Sequence, residues 1–224
     1  MKPKKITLKG ATSAIEEKGI LLVYPIDNRP LPDSLWSEFF PGDPMRWEWD
    51  EGGDDRVGNL WRLREELSSS GKVIYAKWFR GRATFFSRET FSDLISVLGS
   101  ARIERRLLTP EARLILETLE SDSPLSTKQL KLATDLRGKL YERDYEKGMK
   151  ALWERLVIVG YGEVDDGAFP SLSVGATKNL FESLWEDGAE KDPVAALERL
   201  RKKLGENSLF FAFITKILSR SRKN

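Results

Sequence analysis

In the first half of the chain, short apolar runs alternate with stretches of helical spacing. The apolar run at 20–24 is rich in β-forming residues and is followed by proline, which predicts a short buried strand. Residues 72–79 and 82–87 predict the two strands of a β-hairpin with an Arg-Gly pair at its turn. Helical spacing and capping residues predict four helical segments around these strands, at about 11–17, 34–40, 55–67 and 87–98.

Helix-start signals are strong in the second half of the chain. Thr109 stands before Pro110 and an acidic residue, which predicts a helix N-cap, and Ser126 predicts the cap of a second, shorter helix. A third helix is predicted at 142–155, where apolar residues recur at helical spacing. Two strands are then predicted at 157–161 and 172–174, joined by a hairpin turn at 165–167 within an acidic tip at 163–167. Three helices followed by a two-stranded hairpin are typical of a winged helix-turn-helix.

Together these elements predict an α+β fold with three parts. An N-terminal α/β domain with the hairpin covers 1–107, and the winged helix-turn-helix covers 108–185. C-terminal helices and a basic tail make up 186–224. Since the recognition helix of such a module lies in the major groove of DNA, the helix at 142–155 is the candidate nucleic-acid reader.

The helix at 142–155 has two faces of different chemistry. At about 100° per residue, Arg143, Lys147 and Lys150 fall, together with Glu154, on the side opposite to the apolar positions. Those apolar positions are Tyr145, Met149, Leu152, Trp153 and Leu156. The three cations are therefore candidates for contacts with phosphates and base edges of duplex DNA. The alternative is a solvated helix face whose charges serve solubility.

The predicted hairpin is the second candidate surface for DNA. Its cations Lys77, Arg80 and Arg82 are interleaved with aromatic residues, and no acid lies between 72 and 88. Aromatic and basic side chains on a sheet can stack bases and hold phosphates. The alternative places the aromatic residues in the core and leaves the cations as a surface that contacts the backbone of DNA.

Acidic residues weaken both interpretations as DNA-binding surfaces and suggest a catalytic site as a third possibility. Residues 102–165 hold twelve basic and twelve acidic side chains, and the acidic turn at 163–167 would be repelled by a phosphate backbone. The densest acidic cluster includes Glu48 and Asp50, a carboxylate pair that could serve as general acid and base. The alternative is a Trp-anchored strand followed by a polar loop and a helix cap.

Composition excludes several classes of site. The chain contains no cysteine and no histidine, so Ser-His-Asp and Cys-His catalysis, thiol redox chemistry and zinc fingers are excluded. No metal and no cofactor are predicted. The net charge is +2, but ten basic and five acidic residues at 61–108 make that segment +5, and eight against two make 197–224 +6. No apolar run approaches the roughly 18 residues of a membrane span, so the cytoplasm is the expected location.

Five segments resemble a group of bacterial proteins related to the AlkZ winged-helix DNA glycosylases, with a similarity that spans most of 12–185. The segments are GILLVYPIDN (19–28), MRWEWDEGGDDRV (45–57), YAKWFRGRATFFSRE (75–89), SPLSTKQLK (123–131) and GEVDDGAFPSLSVGATK (162–178). The glycosylases excise damaged bases and carry a Gln-x-Gln or Gln-x-Asp catalytic element. The single glutamine of this chain, Gln129, is followed by Leu130 and Lys131, so neither form is present. The resemblance implies a DNA-associated relative and supplies no catalytic residue.

Three hypotheses follow. The first is a DNA-binding protein, associated with repair and without conventional catalytic residues, that contacts duplex DNA through Arg143, Lys147 and Lys150 and through the hairpin cations. The second is a glycosylase-like repair hydrolase that uses Glu48 or Asp50. The third is a winged-helix module that binds a protein partner or a second copy of itself.

Overall fold

The computed structural model describes residues 6–47, 54–165 and 170–221. In the N-terminal half, side-chain caps begin the principal helices where the sequence predicts them, with Ser34, Asp54 and Ser87 as N-caps. Gly99, in the left-handed conformation, ends the helix that Ser87 begins. The elements are α1 (Leu8–Lys18), β1 (Ile20–Leu22), α2 (Leu35–Phe39), α3 (Asp55–Ser69), β2 (Ile74–Ala76), β3 (Thr84–Phe86) and α4 (Arg88–Leu98).

The second half contains the predicted helices and strands, with two principal changes of bounds and a further short strand at Leu125–Ser126 that was not predicted. The third helix begins at Lys139, three residues before the predicted start, because Gly138 at φ 82° turns the chain into it. The first strand of the pair extends to Val164, so Glu163, predicted at the acidic tip, lies in the strand. The elements are α5 (Pro110–Ser121), β4 (Leu125–Ser126), α6 (Thr127–Ala133), α7 (Lys139–Glu154), β5 (Ile158–Val164) and β6 (Ser171–Ala176).

Four helices follow the last strand, and the final one packs on the hairpin. They are α8 (Thr177–Leu180), α9 (Glu182–Glu190), α10 (Pro193–Leu204) and α11 (Leu209–Ser221). Phe210 and Phe213 of α11 make edge-to-face contacts with Phe79, at centroid distances of 5.2 and 5.1 Å. Among the described helices, none has both the length and the apolar character that crossing a membrane requires.

The described strands form one antiparallel sheet in the order β1-β3-β2-β5-β6-β4. The mixed helices and antiparallel sheet confirm the predicted α+β class. The sheet crosses the predicted boundary at 107/108, where Tyr75 of β2 pairs with Gly160 of β5. A Cβ at Gly160 would lie 2.5 Å from the Tyr75 ring, so the close approach requires glycine there. The division into 1–107, 108–185 and 186–224 stays a prediction.

Strand alternation divides the core between the two faces of the sheet. Ile74, Ala76 and Phe86 belong to the larger cluster with α5, α7 and α11, and Tyr75 and Phe85 to a smaller cluster with α1, α2 and α3. All five hairpin aromatics are at most 2% exposed, namely Tyr75, Trp78, Phe79, Phe85 and Phe86. The core interpretation of these aromatics is therefore confirmed, and the hypothesis that they stack bases is wrong for this structure.

Two buried carboxylates tie together elements that are distant in sequence. The Glu163 side chain of β5, 5% exposed, pairs with Arg64 of α3, which is 3% exposed. Asp93 of α4, also 3% exposed, accepts hydrogen bonds from the Arg199 guanidinium at 2.8 and 3.0 Å and pairs with Lys191 at 3.3 Å. A buried charge is tolerated only with such a partner. The first pair therefore fixes how α3 packs on β5, and the second fixes how Arg199 and Lys191 pack beside α4.

Candidate nucleic-acid interface

The orientation of α7 is set by a buried stripe along one side. Tyr145, Leu152 and Trp153 are at most 5% exposed and face the core, as their spacing predicts. Gly148 lies in the same stripe, where a Cβ would come within 3.2 Å of the Ala112 backbone nitrogen of α5. This close contact leaves the opposite side of α7 to solvent.

The predicted cations Arg143, Lys147 and Lys150 lie on that outer side, and all three are exposed. Lys147 is within 3.5 Å of Asp144, a weak surface contact, whereas neither Arg143 nor Lys150 forms an ion pair with any described residue. With a rise of 1.5 Å per residue, the three charges extend over about 10 Å of helix. Among the described residues, only Lys147 has an acidic partner, and that contact is exposed, so all three cations remain open to solvent.

The turn of the hairpin packs beside α7 and presents its cations in the same region. Trp78 is fully buried, and its indole N–H donates to the backbone carbonyl of Glu154 at 3.2 Å, which joins the hairpin to the end of α7. Arg80 stands in the left-handed region at φ 53°, and its side chain projects to solvent beside Phe79. Lys77 and Arg82 are also exposed. The buried aromatic side chains of the hairpin thus lie beneath three exposed cations, Lys77, Arg80 and Arg82.

Between the hairpin turn, α6 and α7 lies a groove of about 480 Å³. Three predicted site residues line it together, Lys77 and Arg80 from the hairpin and Lys150 from α7. Arg143 and Lys147 lie nearer the start of α7, and Arg82 lies just past the turn, outside the lining. The other lining residues are Gly81, Thr127, Lys131, Glu142, Tyr145, Glu146, Met149 and Trp153. Four cations therefore face two carboxylates in this groove.

The α6 wall of the groove contains a cation that the sequence analysis missed. The Lys131 ammonium pairs with Glu142 at 2.7 Å and lies 4.8 Å from the centroid of the Tyr145 ring. This pairing neutralises one of the two groove carboxylates and leaves Glu146 as the other. Lys131 and Glu142 lie on different helices, and the turn between α6 and α7 brings them together. The residue pattern within a single helix therefore does not predict this ion pair.

Two groups in the groove are affected by loss of water. Although Lys77 as a residue is exposed, desolvation of its ammonium by neighbouring protein atoms lowers its pKa, and the positive charge of Arg64 lowers it further. Burial raises the pKa of the Tyr145 hydroxyl, and the Glu142 carboxylate acts in the same direction. The Tyr145 hydroxyl oxygen is buried without a hydrogen-bond partner among the described residues. The floor of the groove at Tyr145 is therefore buried.

One carboxylate of the acidic segment at 163–167 is not free. The Glu163 side chain is buried and paired with Arg64, and of the other two acids the structure describes only Asp165, which is exposed. Glu48 and Asp50, the pair considered for hydrolysis, lie outside the described residues. Within those residues, no three carboxylates converge in a way that could hold a metal ion.

Gln129, the single glutamine of the chain, has a structural role at the start of α6. The backbone N–H of Gln129 donates to the Ser126 hydroxyl at 3.1 Å, and its side-chain oxygen accepts from the Ser126 backbone N–H at 2.8 Å. This reciprocal pair is the capping box that begins α6.

A second cavity, of about 520 Å³, lies in the N-terminal half between the loop after β1 and α2. Asn28, which lines it, ties two loops together by accepting from the Met45 backbone N–H at 2.8 Å and donating to the Met45 carbonyl at 3.1 Å. Arg29 also lines this cavity.

Comparison with known proteins gives one result. A family model described as AlkZ related matches residues 6–212, which is most of the chain. No curated protein and no solved structure matches.

Proposed function

The chain belongs to the AlkZ-related family, and from this premise we propose that it is a repair-associated protein that binds duplex DNA through the outer face of α7 and the hairpin cations. No catalytic role is part of this proposal. Neither Gln-x-Gln nor Gln-x-Asp is present in the sequence, and Gln129 is engaged in the cap of α6.

We infer that residues 110–176 form a winged helix. The order α5, β4, α6, α7, β5, β6 supports this inference, as does the pairing of β4 and β5 on either side of β6. In such a module α7 is the recognition helix, and the helix before it crosses the DNA backbone. The outer face of α7 would then lie in the major groove.

The observation on which the proposal mainly depends is the set of exposed cations around one groove. Lys77, Arg80 and Lys150 line it, and Arg143 and Lys147 continue the charge along α7. Exposed lysine and arginine without internal partners are the groups that displace counterions from phosphates, and this release supplies most non-specific DNA affinity. The chain as a whole carries a net charge of only +2, so electrostatic binding would depend on local basic surfaces such as this one.

The proposal predicts a specific change in salt dependence. Because each phosphate contact adds about 0.9 to the slope of log affinity against log salt, replacing two contacting lysines removes about 2 from that slope. We therefore expect Lys147→Gln/Lys150→Gln to bind a short duplex more weakly at low salt and with a shallower slope. Fluorescence anisotropy of a labelled duplex over a series of salt concentrations measures both quantities.

A matched control is available on helices that do not pack against the hairpin turn or α7. Lys9 of α1 and Lys202 of α10 are exposed and form no ion pair with a described residue. The variant Lys9→Gln/Lys202→Gln loses the same charge, so it should retain the slope of the unaltered chain. Equal slopes for the two double variants would reject the assignment of α7, and no salt-dependent binding at all would reject the proposed function.

A further inference from the structure

The most exposed large hydrophobic side chain in the described residues is at the start of α7. Leu140 is 80% exposed, in the first turn of a helix whose other leucine, Leu152, is fully buried. An isolated exposed leucine is ordinary on a protein surface. The position of Leu140 relative to its charged neighbours makes it informative.

Leu140 lies on the same face as the cations. Counting about 100° per residue from Leu140, Lys147 is about 20° away and Arg143 about 60° away. The buried Tyr145 is about 140° away, on the opposite side. The outer face of α7 therefore begins with an apolar group and continues with positive charges.

This order fits the way a recognition helix meets DNA. The N-terminal residues of such a helix reach the base edges, while charged residues contact phosphates. No side chain caps the start of α7, where the backbone N–H of Tyr141 donates to the Gly138 carbonyl at 3.2 Å. At the floor of the major groove the principal apolar group is the 5-methyl of thymine.

Resting on the proposed function, we propose that Leu140 reads the 5-methyl group of thymine, so that the preferred duplex is one that presents such a methyl group under the start of α7. Contact with the methyl group covers apolar surface on both partners, which is favourable. No other described side chain is both apolar and this exposed on the outer face of α7.

The experiment removes the thymine methyl group from the DNA and, separately, the Leu140 side chain from the protein. Affinity is measured for a short alternating A·T duplex and for the same duplex with uracil in place of thymine. For the unaltered chain, loss of one contacted methyl group should weaken binding about fourfold. For Leu140→Ala the two duplexes should bind equally.

Leu107→Ala is the control, because Leu107 is 55% exposed and lies outside α7. It should respond to the uracil duplex as the unaltered chain does. An equal loss with uracil in the unaltered chain and in Leu140→Ala would overturn the inference alone, since both would then be sensing a change in the duplex itself. A change in oligomeric state on Leu140→Ala, with no change in methyl response, would overturn it in favour of a contact between copies. Absence of all duplex binding would reject the proposed function together with this inference.

Discussion

Replacing Glu163 by alanine lowers the free energy of unfolding by about 3–5 kcal/mol, because it leaves the Arg64 guanidinium buried without a counter-charge. The Arg64 side chain is 3% exposed, its Nε has no hydrogen-bond partner among the described residues, and Glu163 is the carboxylate with which it pairs there. Urea denaturation at neutral pH measures the difference. The expected loss is a large part of the stability of a domain of ordinary size.

Two further variants isolate the cause. Asp165→Ala removes an exposed carboxylate from the same segment and should change stability by less than about 0.5 kcal/mol. Arg64→Met/Glu163→Leu removes both charges and should be more stable than Glu163→Ala, since no unpaired charge remains. A Glu163→Ala variant as stable as Asp165→Ala would show that the pair does not hold α3 against β5.

Replacing Trp78 by alanine should cost a similar amount, about 3–5 kcal/mol, for a different reason. Trp78 is fully buried, with edge contacts to Phe86 at 5.4 Å and to Phe213 at 4.9 Å between ring centroids. Its indole N–H also satisfies the carbonyl of Glu154. The substitution leaves a cavity and an unpaired carbonyl where the hairpin, α7 and α11 meet.

Trp61→Ala tests whether the loss of stability comes from the position of Trp78 in the structure or would follow the removal of any tryptophan. Trp61 is 50% exposed and stacks on the Arg64 guanidinium at 3.9 Å, so its loss should cost only about 1 kcal/mol. Thermal or urea unfolding of the two variants compares them directly. Similar costs for both would contradict the central place of Trp78 between the hairpin and α7.

The sequence predicts local features well because they are encoded within one turn or one helix. Ser87 and Ser126 cap helices through their own hydroxyls, and Thr109 does the same before a proline. The amphipathic spacing of α7 is enough to predict which side is buried and therefore where its cations point.

Features that depend on distant residues could not be predicted in this way. The partners Arg64 and Glu163 are 99 residues apart, and nothing near Glu163 distinguishes a buried strand carboxylate from a turn acid. The pairing of β2 with β5 likewise depends on Tyr75 meeting Gly160 across the predicted boundary. The groove exists only because this pairing brings the hairpin beside α7, so the sequence predicted its cations separately but not their common site.

The most direct test of the proposed DNA contact by α7 uses the unaltered chain. Lysines are acetylated with an amine-reactive reagent, with and without a saturating amount of duplex DNA, and the modification rate at each position is read by mass spectrometry. If the outer face of α7 contacts the duplex, Lys147 and Lys150 react more slowly in the complex, while Lys9 and Lys202 keep their rates. If Lys147 and Lys150 react equally fast in the free chain and in the complex, the duplex binds elsewhere and the proposed interface is wrong.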